Sequence, residues 1–367
     1  MNYKARLPIA VVFLFFACFS LKGQVFENDV TLASKVDDYL KSEYSSKRVP
    51  GMSVCVFRNG KVVFAKGYGF ANIELSVPAT EETIYEIASL TKPFTATAIM
   101  MLVEEEKISL EDPASKYFPE APATWRSITI RHLLNHTSGL SDFFAIPALR
   151  SESGFEWERE YRPEELLHLI YQTLLQAPPG EKWSYSNMGY YLLGLVIEKV
   201  TGNTYEQFLS RRIFQPLGMT VTRRLSRKDI IQNRASGYTW EHDVVKNAQP
   251  TSVTWAFSEG GLVSSAADLA RADAGLFTAK LLKEATLQQM WSPSRLNDGT
   301  TAKYGLGWNI GSDPAHRQIY HSGNKPGFFS IIRHYVDEHL TVVLLANVDS
   351  EIDVGALSYH ISAFYLR

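Results

Sequence analysis

Strand-forming sequence stands at both ends of this chain, and that placement restricts the fold more than any other feature. Near the N-terminus, "MSVCVFRNGKVVFAKGYGFAN" holds two β-rich runs joined by Asn59-Gly60. Both residues of that dipeptide accept positive φ, so it predicts a tight hairpin. Near the C-terminus, "GFFSIIRHYV" and "LTVVLLANV" read as two further strands, and Val354 to Leu366 as a closing helix. Thr31 to Ser46 carries Leu32, Val36, Tyr39 and Leu40 at helical spacing. The middle, roughly Leu90 to Arg234, is mostly helical. There "YYLLGLVIEKVTG" and "TYEQFLSRRIF" keep the 3.6-residue period, and Gly202 stands where the first should end. The expected class is α/β (α+β): one antiparallel sheet formed by both termini and flanked by helices, with an inserted, mostly helical domain. The limits that follow are 24–89 and 250–367 for the sheet domain and 90–249 for the helical domain. Two such parts packed together leave a cleft, where ligands sit.

Residues 1–23 are read apart from the fold. Lys4 and Arg6 precede the apolar run "LPIAVVFLFFACFSL", and Lys22 and Gly23 close it, the pattern of a secretory signal peptide. The run is shorter than the ~20 residues of a spanning helix, so a retained anchor is the lesser reading. Cys18 offers a lipoprotein instead, but Phe15 and Phe16 before Ala17 make a poor lipidation box. The expected location is exported, periplasmic or secreted. After cleavage only Cys55 remains, which leaves no internal disulfide. Within "MSVCVF" it reads as a small core residue rather than a reactive thiol. The net charge of −2 gives no electrostatic case for nucleic acid. The one basic cluster, "RRLSRK" at Arg223 to Lys228, lacks interleaved aromatics and reads as a solvated loop, and Glu104–Glu106 as the wet end of a helix. Aromatic residues at 12% suit a sizeable core and a groove with aromatic walls.

Ser-x-x-Lys occurs twice. Ser89-Leu90-Thr91-Lys92 opens an apolar run of helical character, whereas Ser322 and Lys325 lie in "HSGNKPG", a strand end or turn with no helix to align them. Ser89 has two readings. It caps the helix while Lys92 points into water, or the two lie on one helix face and form a nucleophile with its proton acceptor. The second reading needs a lowered lysine pKa and further polar groups converging on Ser89. Two stretches can supply them: Tyr185-Ser186-Asn187, the only Tyr-x-Asn in the chain, and His321-Ser322-Gly323.

In this order the three motifs resemble those of the class C β-lactamase and serine D,D-peptidase family, the penicillin-binding-protein-like serine hydrolases. "HLLNHTSGL", "PPGEKWSYSNMGYYLLGLVIEKVTG", "PLGM", "GGLVSSAADLA" and "YGLGW" extend the resemblance over essentially the mature chain. It implies that Ser89 attacks a carbonyl and becomes acylated, with Lys92 and Tyr185 sharing the proton transfers. Asn187 is then expected to bind the substrate amide and Lys92. His321 and Ser322 would line the cleft, with Gly323 allowing close approach of the substrate. The backbone N–H groups of Ser89 and Asn324 would form the oxyanion hole, and no metal or organic cofactor is needed. Substrates would be D-alanyl peptides, β-lactams or small esters, including peptidoglycan stem peptides, with no stable protein partner. One departure is that class C β-lactamases carry Lys where this chain has His321. His is mostly neutral at pH 7, which puts efficient β-lactam hydrolysis in doubt.

Other readings remain beside this one. A protein of the same fold could bind penicillin or peptidoglycan without turnover. His132 and His136, four apart as in a zinc helix, lack the glutamate base and a third ligand. No Gly-x-Ser-x-Gly occurs, so a nucleophile elbow is excluded at motif level. Trp183, Tyr190 and Trp308 are candidates for cleft walls or for core.

Overall fold

The computed structural model describes residues 16–46, 48–152, 154–350 and 352–366. The leader expected over residues 1–23 therefore lies mostly outside the described residues. Helix α1 spans Phe16–Ser46. Among the described residues no helix is long and apolar enough to cross a membrane.

The two chain ends build one sheet. Strand β1 (Gly51–Arg58) runs into β2 (Lys61–Asn72), and Asn59 and Gly60 between them have φ of 50° and 77°. Near the C-terminus follow β3 (Gln318–Lys325), β4 (Phe328–Tyr335) and β5 (Leu340–Ala346). The order across the sheet is Asn309–Ile310, β3, β4, β5, β1, β2, Val77–Pro78, and every pair is antiparallel. The junction of the two ends is β1 against β5, with Met52 opposite Ala346 and Val56 opposite Val342.

Alternation along these strands sorts their side chains onto two faces. Met52, Val54 and Val56 of β1 and Leu340, Val342, Leu344 and Ala346 of β5 meet Val36 and Leu40 of α1. Leu357 and Ile361 of the closing helix α5 (Val354–Ala363) join the same layer. On the other face Cys55, Val343 and Leu345 enter a larger core that includes Leu269 and Ala270 of α4 (Ala266–Leu276). Burial on both faces explains why β5 is apolar at every position except Thr341.

The inserted region supplies two helices to the same core. α2 (Lys92–Glu104) is buried from Lys92 to Leu102, and it packs on α3 (Asn187–Thr201). Ser186 caps α3 by accepting from the Gly189 N–H, and Gly202 ends it at φ 67°. The stretch 90–249 is not purely helical. It contains a hairpin, Tyr238–Glu241 with Val244–Asn247, and Tyr238 bridges to Val348 beside β5. A small sheet of Ile84–Glu86, Leu262–Ser265 and Arg223–Arg224 carries the chain from the large sheet to α2. The basic cluster is therefore only partly the loop its sequence suggested. Arg223 and Arg224 sit in a strand, and Arg224 lies over the Phe257 ring and donates to the Val253 carbonyl.

Candidate active site

A short 3-10 turn, Ala88–Thr91, joins the small sheet to α2 and presents Ser89. Ala88 holds φ of 47°, a left-handed conformation that L-residues rarely adopt, so the neighbouring structure must hold it in place. Part of the grip is visible: Ser330 Oγ donates to the Ile87 carbonyl at 2.7 Å. Ser89 does not act as a helix cap. Neither the turn nor α2 has a side-chain cap bond, and Ser89 Oγ instead accepts from Lys92 Nζ at 3.0 Å and from Tyr185 OH at 2.9 Å.

Lys92 is fully buried. Its Nζ has three oxygen neighbours: Ser89 Oγ, Asn187 Oδ1 at 2.7 Å and the Glu259 carbonyl at 2.7 Å. Burial lowers its pKa to about 7, against the opposing pull of the Glu259 and Asp142 carboxylates. Burial also drives Tyr185 well above its ordinary value, so its hydroxyl stays protonated and donates. The His136 ring lies 4.3 Å from the Tyr185 ring between centroids, and His136 Nδ1 accepts from the Ser186 N–H at 3.2 Å. That tilted ring contact and the bond to Ser186 hold the entry to α3, with Tyr185 and Asn187 on either side of Ser186.

Two carboxylates complete the site, and sequence reasoning missed both. Asp142 Oδ2 accepts from the Asn187 backbone N–H at 2.8 Å and from Asn187 Nδ2 at 3.0 Å. This settles the orientation of the Asn187 amide and aims its oxygen at Lys92. Asp142 Oδ1 is buried without a hydrogen-bond partner. Glu259 is buried too. Its carboxylate accepts from the Phe257 N–H, and burial raises its pKa. Neither residue belongs to a motif of its own, although Asp142 follows "HLLNHTSGL" after Ser141 and Glu259 directly precedes "GGLVSSAADLA".

The third motif lies on β3, beside Ser89. Its edge partner, Asn309–Ile310, covers only Ile319 and Tyr320. Lys325 and Phe328 close a two-residue turn, so the ladder alternation points the Ser322 and Asn324 amides away from β4, toward the uncovered edge. The Asn324 N–H group thus faces the uncovered edge, and Asn324 lines the same cleft as Ser89. Gly323 has a different task from the one expected. It is buried, and a Cβ there would stand 2.2 Å from the Ile87 carbonyl oxygen and 2.9 Å from Ser89 N. It admits the nucleophile turn, not the substrate. His321 is buried, with Nδ1 at 2.7 Å from the Ser322 carbonyl and Nε2 at 3.0 Å from Tyr304 OH. A carbonyl can only accept, so Nδ1 carries the proton and Nε2 accepts. Burial, reinforced by Lys92, lowers its pKa to about 3, and the ring is neutral. Lys325, dismissed as a nucleophile partner, is buried and ion-paired with Glu86 at 2.6 Å.

These groups line a cleft of about 510 Å3 with Ser89, Tyr185, Asn187, His321, Ser322 and Asn324 on its walls. Its aromatic wall is Phe144, Trp157 and Trp255. Of the aromatic residues that the sequence left open to either role, Tyr190 and Trp308 are core, and Trp183 lines a neighbouring pocket. The zinc-helix reading also fails on geometry. The helix of Ile130–Leu134 ends before His136, whose φ of 62° turns it away, and His132 Nδ1 accepts from the Thr129 N–H. Among the described residues no group of three or more His, Cys, Asp or Glu could hold a metal ion.

The family model described as Beta-lactamase matches residues 32–362. The chain belongs to the beta-lactamase family. This beta-lactamase-family chain is 30% identical over 318 residues to Penicillin-binding protein 4* of Bacillus subtilis (strain 168), covering 82% of the chain and 68% of that protein. It spans about two thirds of the length of the curated relatives it matches. Among solved structures it is similar to an octameric penicillin-binding protein homologue from Pyrococcus abyssi. The TM-score is 0.79 at 30% identity, over 91% of this chain and 77% of the other. A D-amino acid amidase from Ochrobactrum anthropi SV3, complexed with D-phenylalanine, aligns with TM-score 0.76 at 25% identity, over 92% and 99%. The beta-lactamase-family fold expected from the sequence is the one observed, and the chain is a serine hydrolase of that fold.

Proposed function

We propose that the protein is an exported serine hydrolase that cleaves amide or ester bonds through an acyl-enzyme on Ser89. The observation that carries this reading is the set of three oxygens around Lys92 Nζ. Two of them, Asn187 Oδ1 and the Glu259 carbonyl, can only accept. A neutral amine has two N–H groups, which those two oxygens use, and its lone pair then points at Ser89 Oγ–H, the one partner able to donate. With the Lys92 pKa lowered to about 7, that neutral form is populated at physiological pH. Ser89 Oγ bonds to the substrate carbonyl carbon while its proton passes to Lys92. The carbonyl oxygen becomes an oxyanion facing the Ser89 and Asn324 N–H groups. The C–N or C–O bond then breaks, and the leaving group departs with a proton relayed from Lys92 through Tyr185. Water attacks the ester so formed and regenerates Ser89.

The leader sequence supports export. The relative named for penicillin binding supports recognition of penicillins, while the D-amino acid amidase supports D-configured amides as substrates, ahead of β-lactams in keeping with the neutral His321. The test is intact-protein mass spectrometry after exposure to a fluorophosphonate and to a penicillin, with Ser89→Ala beside wild type. One adduct on the Ser89 peptide, absent from the variant, is expected with the fluorophosphonate. A folded protein that neither reagent labels would put a non-turnover binding role in its place.

A further inference from the structure

A charged residue interrupts the apolar strand "GFFSIIRHYV", and among the described residues no carboxylate pairs with it. Arg333 stands opposite Tyr320 in the ladder of β3 and β4 and is 8% exposed. Alternation puts it on the face of the sheet that α5 covers, with Ile331 and Tyr335. Its Nε donates to Ser358 Oγ at 3.1 Å, its Nη1 to Gln318 Oε1 and its Nη2 to the Gly355 carbonyl at 3.4 Å. The guanidinium also lies 4.8 Å from the Tyr320 ring centre. A guanidinium has five N–H groups, so two remain, one on each terminal nitrogen. Asp353 acts on Arg333 only from beyond contact, and its Oδ1 caps α5 by accepting from the Ala356 N–H at 2.9 Å. Fastening β4 to β3 and α5 needs hydrogen bonds but no charge, and a buried charge without a counterion is costly. Arg333 lines a cavity of about 960 Å3 outside the catalytic cleft, with Trp183 and Tyr359, both exposed, on its walls. Lys303 and Asp313 are the other charged groups there. Lys303 has no ion pair among the described residues, and Asp313 Oδ1 accepts from the Ala315 N–H at 2.9 Å. Asn309 borders both this cavity and the catalytic cleft.

We propose that this cavity is a second binding site, for a small organic monoanion: a carboxylate carried on a flat apolar ring. The inference goes beyond the serine-hydrolase reading and does not depend on it. A carboxylate brings two acceptor oxygens to the two free N–H groups of Arg333, together with the missing counter-charge. Because Arg333 is buried, that pairing is stronger than it would be at an open surface. The Trp183 and Tyr359 rings give the body of the ligand apolar faces to pack on. Charge decides between oxyanions. Arg333 and Lys303 against Asp313 leave one net positive charge on the walls, which a carboxylate neutralises and a phosphate dianion exceeds. On the serine-hydrolase reading each turnover also releases a carboxylic acid in the adjoining cleft, so the acyl product itself is a member of the class.

The experiment is isothermal titration calorimetry with 3-phenylpropionate, on the protein as isolated and after a fluorophosphonate has blocked Ser89. One probe molecule per chain is expected, with a Kd of about 1 mM or tighter that the block leaves unchanged. The uncharged 3-phenylpropanol and the ringless acetate should each bind about tenfold or more weakly, and phenyl phosphate should gain nothing over the carboxylate. Arg333→Gln removes the charge and Trp183→Ala removes a wall, and each should weaken 3-phenylpropionate by about tenfold. Trp183 is exposed, so its variant keeps the fold and reads the site even where loss of Arg333 loosens α5. An Arg333 that only fastens α5 would give a less stable Arg333→Gln protein and no titration signal in the wild type. No heat of binding up to about 10 mM probe, equal affinity for the alcohol, tighter binding of phenyl phosphate, or an affinity indifferent to both variants would each overturn the proposal. Binding abolished by the fluorophosphonate would place the probe in the catalytic cleft and overturn it as well. A protein whose Ser89 takes no reagent loses the serine-hydrolase reading, while the two variants still locate the probe.

Discussion

At the residue scale the site turns on one proton. Below about pH 7 Lys92 is an ammonium with no lone pair for Ser89, so kcat/KM should rise with pH through that value and fall about tenfold per unit on its acid side. Lys92→Arg keeps the charge at every accessible pH and should lower kcat by about 10²–10⁴-fold. A pH–rate profile with an acid limb well away from 7 would assign the base to another group. Gly323→Ala tests the packing behind the nucleophile. Its Cβ would meet backbone at 2.2 Å, which forces a shift of β3 or of the Ile87–Ser89 turn. The expected cost is about 1–3 kcal/mol in urea denaturation, with a further loss of acylation rate as Ser89 N moves. Ser89, Lys92, Tyr185, Asn187 and the His321 motif were legible because each pattern is local and their order along the chain is distinctive. Asp142 and Glu259 were not, since nothing near either residue in sequence announces that folding brings it to Lys92. The role of Gly323 was misread for the same reason: the atoms it must avoid belong to a segment more than two hundred residues away.

At the element scale, local signals held where the backbone itself imposes a conformation. Asn59-Gly60 forms its hairpin turn with both φ values positive, and Gly202 ends α3 in the left-handed region. A Cβ at Gly202 meets nothing within 4 Å, so Gly202→Ala isolates the backbone term. We expect a loss of about 1 kcal/mol in thermal or urea unfolding with activity unchanged; a neutral result would mean that the end of α3 adjusts without strain. Signals failed where packing decides. Whether an aromatic residue lines a cleft or fills a core depends on its neighbours in space, and so Phe144, Trp157 and Trp255 were missed, and the sequence left both roles open for Trp308, which is core. Arg223 and Arg224 look like a surface loop by charge, yet they pair with Leu262 and Val263 because that short strand offers them an edge.

At the scale of the whole molecule, the sheet is the joint between the two ends of the chain. β1 is an interior strand only because β5 lies against it; without β3, β4 and β5 the N-terminal half keeps a hairpin with an uncovered face. A two-stranded hairpin is at best marginally stable in water. A chain ended before Gln318 should therefore show no cooperative unfolding transition by circular dichroism, although it retains Ser89, Lys92 and Tyr185. Cooperative melting of that fragment would show that the inserted helices form a self-sufficient unit. The same register also sets a clock. Met52 cannot meet Ala346 until about 290 further residues have been polymerised, on the order of 15–60 s at a synthesis rate of about 5–20 residues per second. Throughout that interval β1 has no native neighbour on one side. The newborn polypeptide thus cannot finish folding while it is still being made, and it stays available to whatever cellular machinery handles extended chains.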